Sequence, residues 1–224
     1  MQRQDILSAM VWAADAYKNI LPFGGDSCHL VISDTNTDVQ CYIVREDDTL
    51  YVIFRGSNSP RDWVTNLQFG KKVVPYGNYD SKIRVHNGFV TSYKDSGIRD
   101  RLHSLISDDI TKIKITGHSY GAALSTLCAV DLQYNFPCLD IQVIVFGSPR
   151  VGNSAFKKSY NQRIIKSIRV ENGNDIVTKI PFAFMGFRHV GSRFHVGKHR
   201  IFGRLSLNAH YQYAYYQSLL KRLL

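Results

Sequence analysis

The chain has 224 residues, 44% hydrophobic and 21% charged, with 16 Gly and 6 Pro, a balance that excludes a disordered chain, a collagen-like repeat and a disulfide-stapled mini-protein. Its longest apolar run, Ile180 to Phe187 with the Pro and Gly counted in, is far short of the roughly 20 residues a membrane-crossing helix needs. The net charge of +10 is uneven: residues 1–149 carry 14 Lys and Arg against 16 Asp and Glu, whereas residues 150–224 carry 14 against Glu171 and Asp175 alone, a basic third that attracts phosphate-bearing surfaces such as anionic lipid headgroups or nucleic acid.

In chain order, Ile6, Leu7, Met10, Val11, Ala14 and Tyr17 recur at helical spacing. Asp5 and Asp15 interrupt that stretch, so it does not read as an export signal. A cytoplasmic location is therefore expected, with peripheral membrane contact through the basic third. Strand-like runs follow at His29 to Ile32, Val39 to Val44 and Leu50 to Phe54, then a helical pattern from Asn87 to about Ser107. Three β-rich segments, Lys112 to Thr116, Ile141 to Phe146 and Ile164 to Val170, alternate with helical stretches at Tyr120 to Tyr134 and Ser154 to Tyr160. A basic alternating segment containing His195 and His199 reads as strand, and Ala209 to Leu224 is again helical. Such alternation predicts an α/β fold with a mostly parallel sheet covered by helices on both faces. No linker or repeat divides the chain, so one domain over 1–224 is expected. Cys28, Cys41, Cys128 and Cys138 form no CxxC pair and are expected to be buried thiols without disulfides.

The chemistry is concentrated in Ile113 to Leu127, where a β-branched run ends at Thr116 and Gly117-His118-Ser119-Tyr120-Gly121 opens a helix of small residues. A Ser nucleophile perched on a sharp strand-to-helix turn sits in strained backbone geometry, and glycines two residues either side remove the side chains that would collide there. A hydroxyl needs a base, and the base an orienting acid, in the chain order Ser, acid, His for this type of turn. Past Asp140 only Glu171 and Asp175 are left; Asp175, in a turn after a predicted strand, is the first choice and Glu171 the fallback. Of His189, His195, His199 and His210, the last precedes the final helix and can swing over the sheet edge. The first three match no metal-ligand spacing, so no metal is expected. Oxyanion donors are expected from the Tyr120 backbone N–H and from Ser57, which follows the strand ending in Arg55-Gly56.

Ordered blocks over roughly residues 39–216 make the chain resemble the class 3 lipase family of α/β-hydrolases, which includes fungal triacylglycerol lipases. The blocks are YVIFRGSNSPRDWVTNL, VHNGFVTSY, ITGHSYGAAL, VFGSPRVGN and RVENGNDIVTKIP, with a histidine before a tyrosine-rich last helix. The resemblance implies Ser119 as nucleophile, Asp175 as acid, His210 as base, and Ser57 with Tyr120 as oxyanion donors. It also implies a lid over about residues 58–76, where Trp63, Val64 and Leu67 would form an apolar face beside Lys71 and Lys72; a buried structural helix is the alternative. Tyr120, Ala122 and Thr178 stand where the family more often has Leu, Gly and Pro.

The expected activity is hydrolysis of lipid carboxylic esters through an acyl-enzyme, with no cofactor. Phospholipase A1 activity on anionic membranes is the competing reading within that class. A catalytically silent basic module docking on membrane or nucleic acid is the competitor from another class; with every expected triad residue type present, a nucleic-acid partner is not expected.

Overall fold

A computed structural model describes residues 2–18, 28–34, 39–57, 59, 70–74, 78, 80–95, 97–198 and 204–223. Its centre is a seven-stranded sheet of β1 (Cys28–Asp34), β2 (Val39–Glu46), β3 (Thr49–Phe54), β6 (Lys112–His118), β7 (Asp140–Phe146), β8 (Lys166–Asn172) and β9 (Ser192–Val196), in that spatial order. β1 to β3 form an antiparallel meander, and every pairing from β3 to β9 is parallel. The expected mostly parallel sheet is therefore present, with an antiparallel edge. β4 (Lys71–Val73) and β5 (Arg84–His86) make a small separate ribbon that the periodicity did not reveal, because each is three residues long.

Period-2 alternation sends side chains to opposite faces. From β7, Val143 and Val145 enter one core while Ile144 and Phe146 enter another. The first core lies under α2 (Asn87–Asp95), α3 (Ile98–Ser104), α4 (Tyr120–Asn135) and α5 (Ser154–Arg163); the second lies under α1 (Arg3–Asp15) and α6 (Gln212–Leu223). Each fully buried large side chain, such as Phe89 or Phe146, contributes about 1.5–3 kcal/mol to holding these layers. Among the described residues, no helix is long and apolar enough to cross a membrane.

Three sequence expectations are adjusted. The helical stretch from Asn87 is two helices, broken at Gly97, whose φ of 68° ends the regular path. The strand expected over Ile164 to Val170 is displaced toward the C terminus: Ile164 caps α5, Ile165 is exposed, and β8 runs on through Glu171 and Asn172. Cys41 and Cys128 are buried free thiols as expected, but the free thiol of Cys138 is exposed, in the turn between α4 and β7.

Candidate active site

Four of the five predicted site residues gather where β6, β7 and β8 end. β6 passes directly into α4 through Ser119, which sits at φ 59° and ψ −123°, a strained conformation for a residue with a Cβ. Two contacts impose the turn. The Ser119 N–H donates to the Phe146 carbonyl at 2.9 Å, and the Ala122 N–H donates to the Ser119 carbonyl at 3.0 Å. A Cβ on Gly117 would come within 2.6 Å of the Gly121 backbone, and one on Gly121 within 2.3 Å of the Phe54 carbonyl oxygen. Both glycines are therefore steric requirements of the turn. Ser119 is fully buried, and its Oγ has no hydrogen-bond partner among the described residues.

Asp175 and His210 meet because two segments 35 residues apart are laced together. Ile176 N–H donates to the Ser206 carbonyl, Ser206 N–H to that of Asn174, and the Asn172 side-chain amide to that of Ala209. The resulting 3-10 turn Asn208–His210 presents His210, 1% exposed, to Asp175, 0% exposed. His210 Nδ1–H donates to Asp175 Oδ2 at 2.9 Å. The same carboxylate accepts the Tyr215 hydroxyl at 2.6 Å and, on Oδ1, the Val177 N–H at 2.8 Å. His210 Nε2 is buried and, like Ser119 Oγ, has no partner among the described residues. The structure thus joins Asp175 to His210, while Ser119 Oγ and His210 Nε2 make no hydrogen bond to each other or to any other described residue. Gly147, at φ 58°, lies against the pair of Asp175 and His210: a Cβ there would be 2.9 Å from His210 Cε1 and 3.1 Å from Asp175 Oδ2.

The fallback acid, Glu171, is engaged elsewhere. Glu171 is on β8, buried, and ion-paired with Arg169, with Arg193 Nε at 2.8 Å and with Lys179 Nζ at 3.7 Å. Burial, and then the charge of Arg193, lower the Arg169 guanidinium to about 10. Ser57 lies three residues beyond β3, on a loop packed against the nucleophile turn: a Cβ on the preceding Gly56 would fall 2.6 Å from the His118 carbonyl oxygen. The Ser57 hydroxyl accepts the Ser59 N–H at 3.3 Å. Tyr120 begins α4, its ring edge-on to Phe89. Thr178 uses its position well, donating its hydroxyl to the Asp175 carbonyl at 2.8 Å. His189 Nε2–H donates to the Thr178 carbonyl and His195 lies beside Arg193, while His199 and the lid residues Trp63, Val64 and Leu67 lie outside the described residues.

Sequence reasoning missed His118 and Tyr17. The His118 ring, fully buried, packs 4.5 Å from the His210 ring; its Nε2–H donates to the His210 carbonyl at 2.7 Å. Since a carbonyl only accepts, Nδ1 is the acceptor of the Tyr17 hydroxyl, 2.9 Å away. These contacts fix one neutral tautomer of His118 behind the nucleophile. Burial, and then the neighbouring His210 charge, push His118 well below the usual histidine range; burial, and then Arg169, do the same for His189.

This buried pair makes stability pH-dependent. The unfolded chain takes up protons on both imidazoles as pH falls through about 6.5, while the folded chain keeps both neutral. The unfolded state then binds more protons, so acidification destabilises, by up to about 1.4 kcal/mol per pH unit for each histidine. Urea unfolding should give a midpoint that is flat above about pH 7 and falls below about pH 6; a midpoint that rises on acidification would contradict the account.

Residues 51–185 match the family described as Lipase (class 3). The chain belongs to the class 3 lipase family. Among similar members, a lipase of Rhizomucor miehei is 33% identical over 167 residues, 70% of this chain and 45% of that protein. A chloroplastic phospholipase A(1), DAD1, of Arabidopsis thaliana is 33% identical over 147 residues, 58% of this chain and 33% of that protein. The chain thus spans less than half the length of these curated relatives. Lipase II from Rhizopus niveus superposes with a TM-score of 0.79 at 25% identity, over 93% of this chain and 92% of that one. A triacylglycerol lipase whose catalytic centre is described as a serine protease triad superposes at 0.73 and 29% identity, over 86% and 79%. The class 3 lipase fold is accordingly the α/β-hydrolase fold expected from the sequence.

Proposed function

We propose that this class 3 lipase hydrolyses carboxylic esters of lipids through an acyl-enzyme on Ser119. The observation that carries the reading is His210 held by Nδ1–H on buried Asp175, beside a buried serine on a strained strand-to-helix turn. In the first half-reaction Ser119 Oγ bonds to the ester carbonyl carbon as its proton passes to His210 Nε2. The Tyr120 N–H and Ser57 donate to the oxyanion; collapse breaks the ester C–O bond, and the alcohol leaves with the proton from His210. Water then repeats the sequence, releasing the fatty acid and restoring Ser119. Asp175, supported by Tyr215 and Val177, keeps the imidazole in the tautomer with Nε2 free. None of these steps calls for a metal or cofactor.

Activity on anionic phospholipids, at the A1 position, is the second reading. The absence of any Asp or Glu after Asp175, against eight Lys and Arg, favours it, as does the similarity to a protein named phospholipase A(1). The test offers triacylglycerol emulsions, phosphatidylcholine vesicles and phosphatidylglycerol vesicles to the protein and measures fatty-acid release, alongside labelling by a fluorophosphonate. Labelling at Ser119 with release from at least one lipid is expected, and release that climbs with anionic content and falls with salt supports the phospholipid reading. No labelling and no release would defeat the proposal.

A further inference from the structure

The loop that leaves Asp175 carries an unusual surface. After Ile180-Pro181 the chain makes a 3-10 turn, Ala183–Met185, on which Phe182 is 41% and Phe184 87% exposed. Their rings stack 10° from parallel at 5.3 Å, a concentrated apolar projection facing solvent rather than the core.

Three cations surround its base, each held by main-chain carbonyls. Lys71 Nζ donates to the Met185 carbonyl at 2.5 Å; Arg150 Nη1 donates to those of Pro181, at 2.9 Å, and Lys179; Arg188 Nη1 donates to those of Ala183, at 2.6 Å, and Phe187, at 2.8 Å. None of the three pairs with a carboxylate among the described residues, and the sequence from Ile176 to Leu224 contains none. The carbonyls fix the positions of these charges without cancelling them.

Stacked phenyl rings ringed by uncompensated positive charge match one kind of surface. We propose that Phe182 and Phe184, with Lys71, Arg150 and Arg188, dock this protein on an anionic lipid bilayer. The rings enter the boundary between headgroups and acyl chains while the cations meet headgroup phosphates. A second copy of the chain would bring like charges together at this surface. The turn begins eight residues after Asp175 in the chain, and the proposal deepens the lipid-ester reading and rests on it.

The test uses the full chain carrying Ser119→Ala, so that vesicles are not consumed, and flotation with phosphatidylcholine vesicles with or without phosphatidylglycerol. Binding should require the anionic lipid. Adding Phe184→Ser should lower the partition coefficient about tenfold, and adding Lys71→Gln with Arg188→Gln should flatten its salt dependence. The Phe184→Trp variant should keep binding and shift its emission to the blue when anionic vesicles are added. Undiminished binding after Phe184→Ser, an unmoved emission after Phe184→Trp, or preference for a single-stranded oligonucleotide over anionic vesicles would each overturn the proposal. With Ser119 intact, Phe184→Ser should turn over soluble p-nitrophenyl acetate within about twofold of the parent, since a lone exposed side chain contributes little to the fold. Vesicle binding without turnover by any form would instead defeat the catalytic reading and leave the docking surface standing.

Discussion

Ser119→Ala is expected to leave a folded protein whose kcat/KM for p-nitrophenyl esters has fallen by about five to six orders of magnitude. The size follows from the loss of the covalent route, with only the oxyanion donors and substrate binding left to act. Its stability should be unchanged or slightly higher. Ser119 Oγ is buried and makes no hydrogen bond among the described residues, so deleting it strands no partner and removes a polar atom that folding had taken out of water. The backbone strain stays, because it belongs to the turn between Phe146 and Ala122 and not to the hydroxyl. Turnover and thermal unfolding measured together check both halves. Retained turnover would remove Ser119 from the chemistry, and a collapsed melting temperature would mean that Oγ has a structural partner after all.

Asp175→Asn should lower kcat by about 10⁴ with little change in KM, a loss of about 5 kcal/mol of transition-state stabilisation. Three donors converge on this carboxylate, from Val177, Tyr215 and His210. An amide presents one oxygen and one NH₂, so either orientation turns a donor against a donor. With the NH₂ toward His210, the imidazole accepts at Nδ1 and carries its proton on Nε2, where the serine proton must go. Asp175→Glu is no rescue, because the longer side chain would have to move a carboxylate that is 0% exposed and fitted to three donors. Kinetics on a soluble ester decide the matter: a fall of less than about tenfold, or one seen only in KM, would show that Asp175 does not set the tautomer.

What was legible in the sequence had local causes. The nucleophile turn announced itself because its constraint is steric and confined to five residues, Gly117 to Gly121. The acid narrowed to two candidates by composition, and alternation along β8 separates them: Glu171 shares a face with Arg169 and Ser167, while Asp175 lies beyond the strand. Reading the strand as ending at Val170 concealed that distinction. The parallel sheet was legible because β3, β6 and β7 carry buried β-branched and apolar residues, whereas β8, whose buried positions include Ser167, Arg169, Glu171 and Asn172, was read with displaced bounds. What stayed hidden depends on partners far away in the chain. Tyr17 is 101 residues from His118, and His118 is 92 from His210, so although His118 lies within the nucleophile turn, nothing local shows that its ring bridges Tyr17 and the His210 carbonyl. Tyr215 looked like one more aromatic in an amphipathic helix until its hydroxyl was found on Asp175.

The pairing of α1 with α6 has a mechanical consequence. Arg3 in the first helix donates to the Leu223 carbonyl in the last, Tyr17 just past the first reaches His118, and Tyr215 in the last reaches Asp175. The two outermost segments therefore act as a clasp whose inner teeth touch the reacting groups. Clipping the chain after Lys18, or prying α6 away with a bulky fusion, would uncover the second core and at the same time loosen the residue behind the nucleophile or the acid behind the base.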